Sequence, residues 1–180
     1  MTRSDGDKFL KLADEALERM DCDKAIEHGE KAFEYFKEAV ERNSDDKHAW
    51  HKLADIYRSY PVEDAPLVEL FKKRIECLLN ALEEENVSIL KELATAYLNL
   101  HGEDEKEEYS KRAEACLIVY LIQNDGDASA WVDLGDVYKM HEGVRVYALD
   151  SVSKHLPIKK SYRKNKVIKG VEIKGIQFEK

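Results

Sequence analysis

The sequence predicts an all-α fold of about four helix hairpins, and three observations carry that expectation. Charged residues make up 37% of the 180-residue chain while Gly and Pro supply only 8 and 3 positions, a balance that favours helices over a β-sandwich. Two stretches are near copies of each other: "DKHAWHKLADIYRSY" at 46–60 and "DASAWVDLGDVYKM" at 127–140 place Trp, Leu, a small residue and Tyr at the same offsets. Sliding that frame along the chain finds two weaker copies, Phe9-Leu12-Ala13-Ala16 and Leu90-Leu93-Ala94-Tyr97. The anchors therefore fall at 9, 50, 90 and 131, spaced by 41, 40 and 41 residues. Self-similarity at a near-constant period of this length marks a stack of repeated supersecondary units.

Each element follows from the frame. Offsets 0, +3, +4 and +7 lie on one stripe of an α-helix. The third position reads Ala13, Ala54, Ala94 and Gly135, always small, as expected where another helix backbone passes close by. Polar residues mark the starts: Asp45 and Asp46 before Trp50, and Asn86 or Ser88 before Leu90. A longer second helix follows each time, with its own apolar stripe. In the first unit this runs through Ala25, Ile26, Ala32, Phe33, Phe36, Ala39 and Val40. In the second it runs through Leu67, Leu70, Phe71, Ile75, Leu78, Leu79 and Leu82, with Pro61 and Pro66 suited to a linker and a first turn. In the third it uses Tyr109, Ala113, Cys116, Leu117 and Tyr120. The fourth second helix is degenerate: residues 142–156 are expected to form a short capping helix before Pro157, although Val144 to Tyr147 leave a strand open. The repeat domain thus spans 1–156. Residues 157–180 form a basic tail whose end alternates Val171, Ile173, Ile176 and Phe178 between Gly170 and Gly175, a strand pattern.

These residues resemble the tetratricopeptide repeats. The family's W-x2-L-G-x2-Y signature is matched by Trp131, Leu134, Gly135 and Tyr138, and nearly so by Trp50, Leu53, Ala54 and Tyr57. The resemblance covers roughly residues 5–141. It departs from the family in its 41-residue period against 34, and in Asn43-Ser44 and Asn124-Asp125 where the family usually closes a repeat with proline. The resemblance implies an α-α superhelix whose first helices line a concave face that meets a protein or peptide partner.

On that resemblance the ligand-facing positions are Asp7, Leu10 and Asp14; His48, His51 and Asp55; Ser88, Lys91 and Thr95; and Ser129, Val132 and Asp136. Of these, Asp14, His48, His51, Asp55, Lys91, Thr95 and Asp136 are expected to touch the partner. The family's clamp of Lys, Asn and Arg for a partner's C-terminal carboxylates is absent, since only Lys91 has that chemistry. The aspartates instead suit a basic partner, or are simply solvated.

His48, His51 and Asp55 share a metal-like i, i+3, i+7 spacing, but i and i+7 on one helix lie ~10 Å apart. A second element would have to complete any such site, and no metal or other cofactor is expected. There is no phosphate loop, glycine-rich fingerprint or nucleophile with an evident base, so no enzyme is expected. Cys22, Cys77 and Cys116 lie far apart without a CxxC and read as reduced thiols. The opening MTRSDGDKFL has no apolar core of a signal peptide, and no run of ~18 apolar residues spans a membrane, so a cytoplasmic protein is expected.

Charge is unevenly placed. Residues 156–180 hold eight cations against two acids, a net +6 that leaves −14 on residues 1–155 out of the total of −8. The tail could be a flexible solubilising end, or it could pair as a strand with another protein or a second copy. Through Lys159, Lys160, Arg163, Lys164 and Lys166 it could contact nucleic acid, the alternative being an RNA- or nucleoprotein-associated adaptor. It could also dock in the acidic groove, within one chain or between two.

Overall fold

The helix starts obey local chemistry, and they divide the chain in the order the frame demands. A computed structural model describes residues 3–60, 62–83 and 86–140. Among them the chain is all-helical, seven helices with no strand: α1 (Arg3–Glu18), α2 (Cys22–Arg42), α3 (Lys47–Ser59), α4 (Leu67–Ala81), α5 (Ser88–Asp104), α6 (Glu107–Gln123) and α7 (Ala128–Met140). The expected helix at 142–156 and the tail 157–180 lie outside the described residues.

Three starts carry an aspartate whose side chain takes a free backbone N–H. Asp21 accepts from Lys24 N at 3.3 Å, Asp46 from Ala49 N at 3.0 Å and Asp127 from Ala130 N at 3.1 Å. Each satisfies one of the donors that a first helical turn leaves over. The α5 start departs from expectation. Its cap position is Val87, which has no side chain to offer, and Asn86 instead accepts from the Ser88 hydroxyl at 2.5 Å. Pro66 sits at the cap of α4, one position before the first turn, where its missing N–H costs nothing. Glu105 closes α5 in the left-handed region (φ 49°), and α6 then opens with Glu107 and Glu108 at its positive dipole end.

Consecutive helices pack on one another, most closely α1 on α2, α3 on α4 and α5 on α6. The small residues at 13, 54 and 94 are sealed, with 0%, 1% and 1% exposure. Around them Phe36, Ile56, Leu78, Leu90, Leu93 and Leu117 are fully buried, each worth roughly 1.5–3 kcal/mol of apolar burial. Gly135 differs. It is half-buried, and a Cβ built there would meet no described atom within 4 Å. Its smallness therefore answers to no described neighbour.

Two apolar assignments are corrected. Leu67, expected in the α4 stripe, is 55% exposed at the helix's first position. Leu10, expected on the open face, is buried against the core. The α6 stripe is also wider than expected: every residue from Ala113 to Val119 is buried, Glu114 included. A helix covered on more than one side needs apolar residues all round, and the run Ala115 to Ile122 supplies them. No helix among the described residues is long and apolar enough to cross a membrane.

Candidate functional site

Two of the side-chain contacts between alternate helices fall at the 41-residue period. His48 Nε2 on α3 lies 3.0 Å from Asp7 Oδ1 on α1, and His51 Nε2 lies 3.0 Å from Glu92 Oε1 on α5. Both pairs are 41 residues apart, so residues one period apart meet directly. Three further bonds, at other separations, also join alternate helices. The Tyr60 hydroxyl, at the end of α3, donates to Asp14 Oδ1 at 2.6 Å. Lys91 Nζ on α5 donates to Asp127 Oδ2 at 2.7 Å and Ser129 Oγ at 2.6 Å, at the start of α7. Polar side chains thus link each odd-numbered helix to the next.

Most of the expected contact residues are engaged within the chain. Asp14 is exposed but accepts from Tyr60; His48, His51 and Lys91 bridge neighbouring helices as above. Asp55 pairs with Arg58 at 3.2 Å and Lys52 at 3.8 Å on its own helix. The exposed Thr95 hydroxyl turns back to the Lys91 carbonyl at 3.0 Å. Asp136 is half-buried and engaged as well. The face keeps Val132, Ser88 and Ser129 exposed beside them. Lys159, Lys160, Arg163, Lys164 and Lys166 fall outside the described residues.

A polar cluster joins α3, α4 and α5. His51, Asp55 and Glu92 bring one ligand atom each within 4.8 Å of the others, all half-buried. Glu92 is the contribution from a second helix that the α3 spacing lacked, and it takes the place of His48, which turns to Asp7. Lys52, Arg58 and Arg74 crowd the same two carboxylates. Three cations against two acids weigh against a divalent ion there. Arg74 is 3% exposed with its Nε unpaired among the described residues, and burial beside Arg58 lowers its pKa.

The bond to Glu92 raises the His51 pKa above its ordinary value, against the pull of burial. Burial pushes the Glu92 carboxyl upward, but the bond to His51 and the charges of Arg58 and Arg74 outweigh it and hold the group below its usual range. Lys91 does the same for Asp127, helped by Tyr120 and the backbone of Ala130. Elsewhere burial raises the Glu114 carboxyl, and burial, with the Glu114 charge beside it, lifts the Tyr138 hydroxyl to about 12. Burial also pushes the Cys77 and Cys116 thiols to about 12, so neither supplies a thiolate at neutral pH. Cys22 is exposed and free.

Sequence reasoning missed Glu92, Arg74 and the Tyr60–Asp14 bond. The period itself could have found Glu92, one step of 41 beyond His51. Compared with known proteins, the chain matches no protein-family model, and a search of the curated proteins gives no match.

Proposed function

We propose that the chain is a non-catalytic interaction scaffold: a tetratricopeptide-like α-α superhelix of about four helix hairpins that binds a peptide or helix along the face of its odd-numbered helices. The observation that carries this reading is the direct bonding of residues one period apart, Asp7 to His48 and His51 to Glu92. Such bonding places equivalent stripes of successive units edge to edge, and a stack of stripes makes an elongated surface of the kind repeat proteins use for partners. The polar bonds keep that surface in one shape, which lowers the ordering cost of binding. Its aspartates, already bonded within the chain, act on a basic partner through approach and selectivity rather than as free carboxylates.

Affinity capture with the wild type beside an Asp14→Lys/Asp55→Lys/Asp136→Lys variant tests the choice of face. Partners held on this face are lost from the folded variant; an unchanged captured set contradicts the proposal. The adaptor reading rests on the cations at 159–166, and a nucleic-acid filter-binding assay at two salt concentrations separates it. Binding that steepens with falling salt and disappears on reversing Lys159, Lys160 and Arg163 favours that alternative.

A further inference from the structure

The outer side of the α1–α2 pair carries a groove of 820 Å³, with Phe9 of α1 and Tyr35 of α2 in its lining. The Phe9 ring stacks on Tyr35 at 5.5 Å and on His28 at 6.1 Å, giving an aromatic floor. Lys31 Nζ already lies 5.8 Å over the Phe9 ring, so the floor takes a cation on its face. The rim is a row of glutamates at 27, 30, 34, 38 and 41. Steps of three and four keep them on one side of α2 over ~21 Å of helix. Against Lys31 and Lys37 the groove is left with a net charge of −3.

The carboxylates of the odd-helix face are largely spoken for by His48, His51, Arg58, Tyr60 and Lys91. The rim of this groove is not. Glu27 bonds Lys31 and Glu38 bonds Arg42, but Glu30, Glu34 and Glu41 are exposed and have no hydrogen bond or ion pair among the described residues. A basic ligand therefore meets free carboxylates and an aromatic floor here, where on the other face it would first have to break existing bonds.

We propose that this groove is the docking site for the chain's own basic segment, residues 159–169, within the same molecule. That segment carries six cations and no acid, with Tyr162, Val167 and Ile168 among them. The cations match the free rim carboxylates and the apolar side chains match the floor. The 18 residues from 141 to 158 join it to the end of α7 and reach at most about 60 Å when fully extended, and within that reach the covalent connection raises the effective concentration of the segment over a separate molecule. The inference does not rest on the odd-helix face being the partner site; it assigns a second surface with a different occupant.

Zero-length carbodiimide cross-linking of the full chain tests it, using an equal mixture of 15N-labelled and unlabelled protein at low ionic strength. Mass spectrometry is expected to map Lys159 to Lys169 onto Glu30, Glu34 or Glu41, within one isotopic copy. The yield is expected to fall several-fold at ~0.5 M salt, where screening shortens to a few ångströms. The exposed triple reversal Glu30→Lys/Glu34→Lys/Glu41→Lys is expected to abolish these links. The equally exposed Glu76→Lys/Glu103→Lys/Glu105→Lys is expected to leave them. Links to Asp14 or Asp55 instead, links scattered over all exposed carboxylates, mixed-isotope links that point to a second copy, or no links at all would each overturn the proposal.

Discussion

Helices α3 and α7 are written with nearly the same words and fold the same way locally, yet their surroundings differ. Asp46 and Asp127 cap the two starts in the same manner. Trp50 Nε1 donates to the Ser44 carbonyl at 2.8 Å and Trp131 Nε1 to the Asp125 carbonyl at 2.9 Å, six residues back in each case. Leu53 and Leu134 are both buried. Ala54, however, is sealed at 1% exposure, while a Cβ built at Gly135 would meet no described atom within 4 Å. His51 bonds a helix one period on, whereas its counterpart Val132 is 62% exposed. Caps and the tryptophan anchor are properties of the segment. The small position and the polar bridge acquire meaning only from a helix alongside.

The largest expected contrast comes from writing leucine at both small positions. Ala54→Leu should cost about 3 kcal/mol by overpacking a filled site. Gly135→Leu meets no described neighbour and gains up to ~1 kcal/mol of helix propensity, so it should cost less than Ala54→Leu. Urea unfolding of the two variants measures the difference, and equal losses would erase the distinction between the helices. Gly29→Ala comes next: its Cβ would stand 2.8 Å from the ring of Tyr60, the buried residue that closes α3. A loss of about 2 kcal/mol is expected, a fall in Tm of ~4–8 °C for a chain of this size. Asp46→Ala removes one cap bond and should cost about 1 kcal/mol. Asp127→Ala should cost more than its counterpart, because Asp127 also holds Lys91 and Tyr120.

The smallest effect is a pH dependence confined to the α3–α5 contact. The raised His51 pKa makes its contribution complete below the ordinary histidine value of ~6.5 and lost as pH rises through the raised one. The lowered Glu92 pKa makes its contribution complete above ~4.5 and lost as pH falls through the lowered one. The pair therefore holds α3 to α5 most firmly between about pH 4.5 and 6.5. His51→Gln should flatten the stability profile on the alkaline side, as followed by thermal unfolding across pH. A wild-type profile already flat there would contradict the assigned bond.

The legible part of the fold was what short range dictates: the 0, +3, +4, +7 stripes, the cap at Asp46, and the sealed small positions at 13, 54 and 94. The α6 surroundings were harder, since a helix buried on several sides loses the one-sided pattern that reveals a stripe. Leu67 is apolar without being core: it opens α4 and is 55% exposed. At the candidate face the residue types were found but not their partners. His51 and Asp55 share a helix and are visible together, while Glu92 joins them only when α5 is laid beside α3. Arg74 arrives from α4, whose sequence gave no sign that a cation would be buried there.

The meeting of His51 with Glu92 is the contact on which the side-by-side arrangement turns, and NMR titration of the His51 imidazole reports on it directly. A pKa above 6.5 in the wild type that drops on Glu92→Gln, with the helical content unchanged, is the predicted result. A His51 titration indifferent to Glu92→Gln would mean that the two residues are not neighbours, and that helices one period apart do not stand edge to edge.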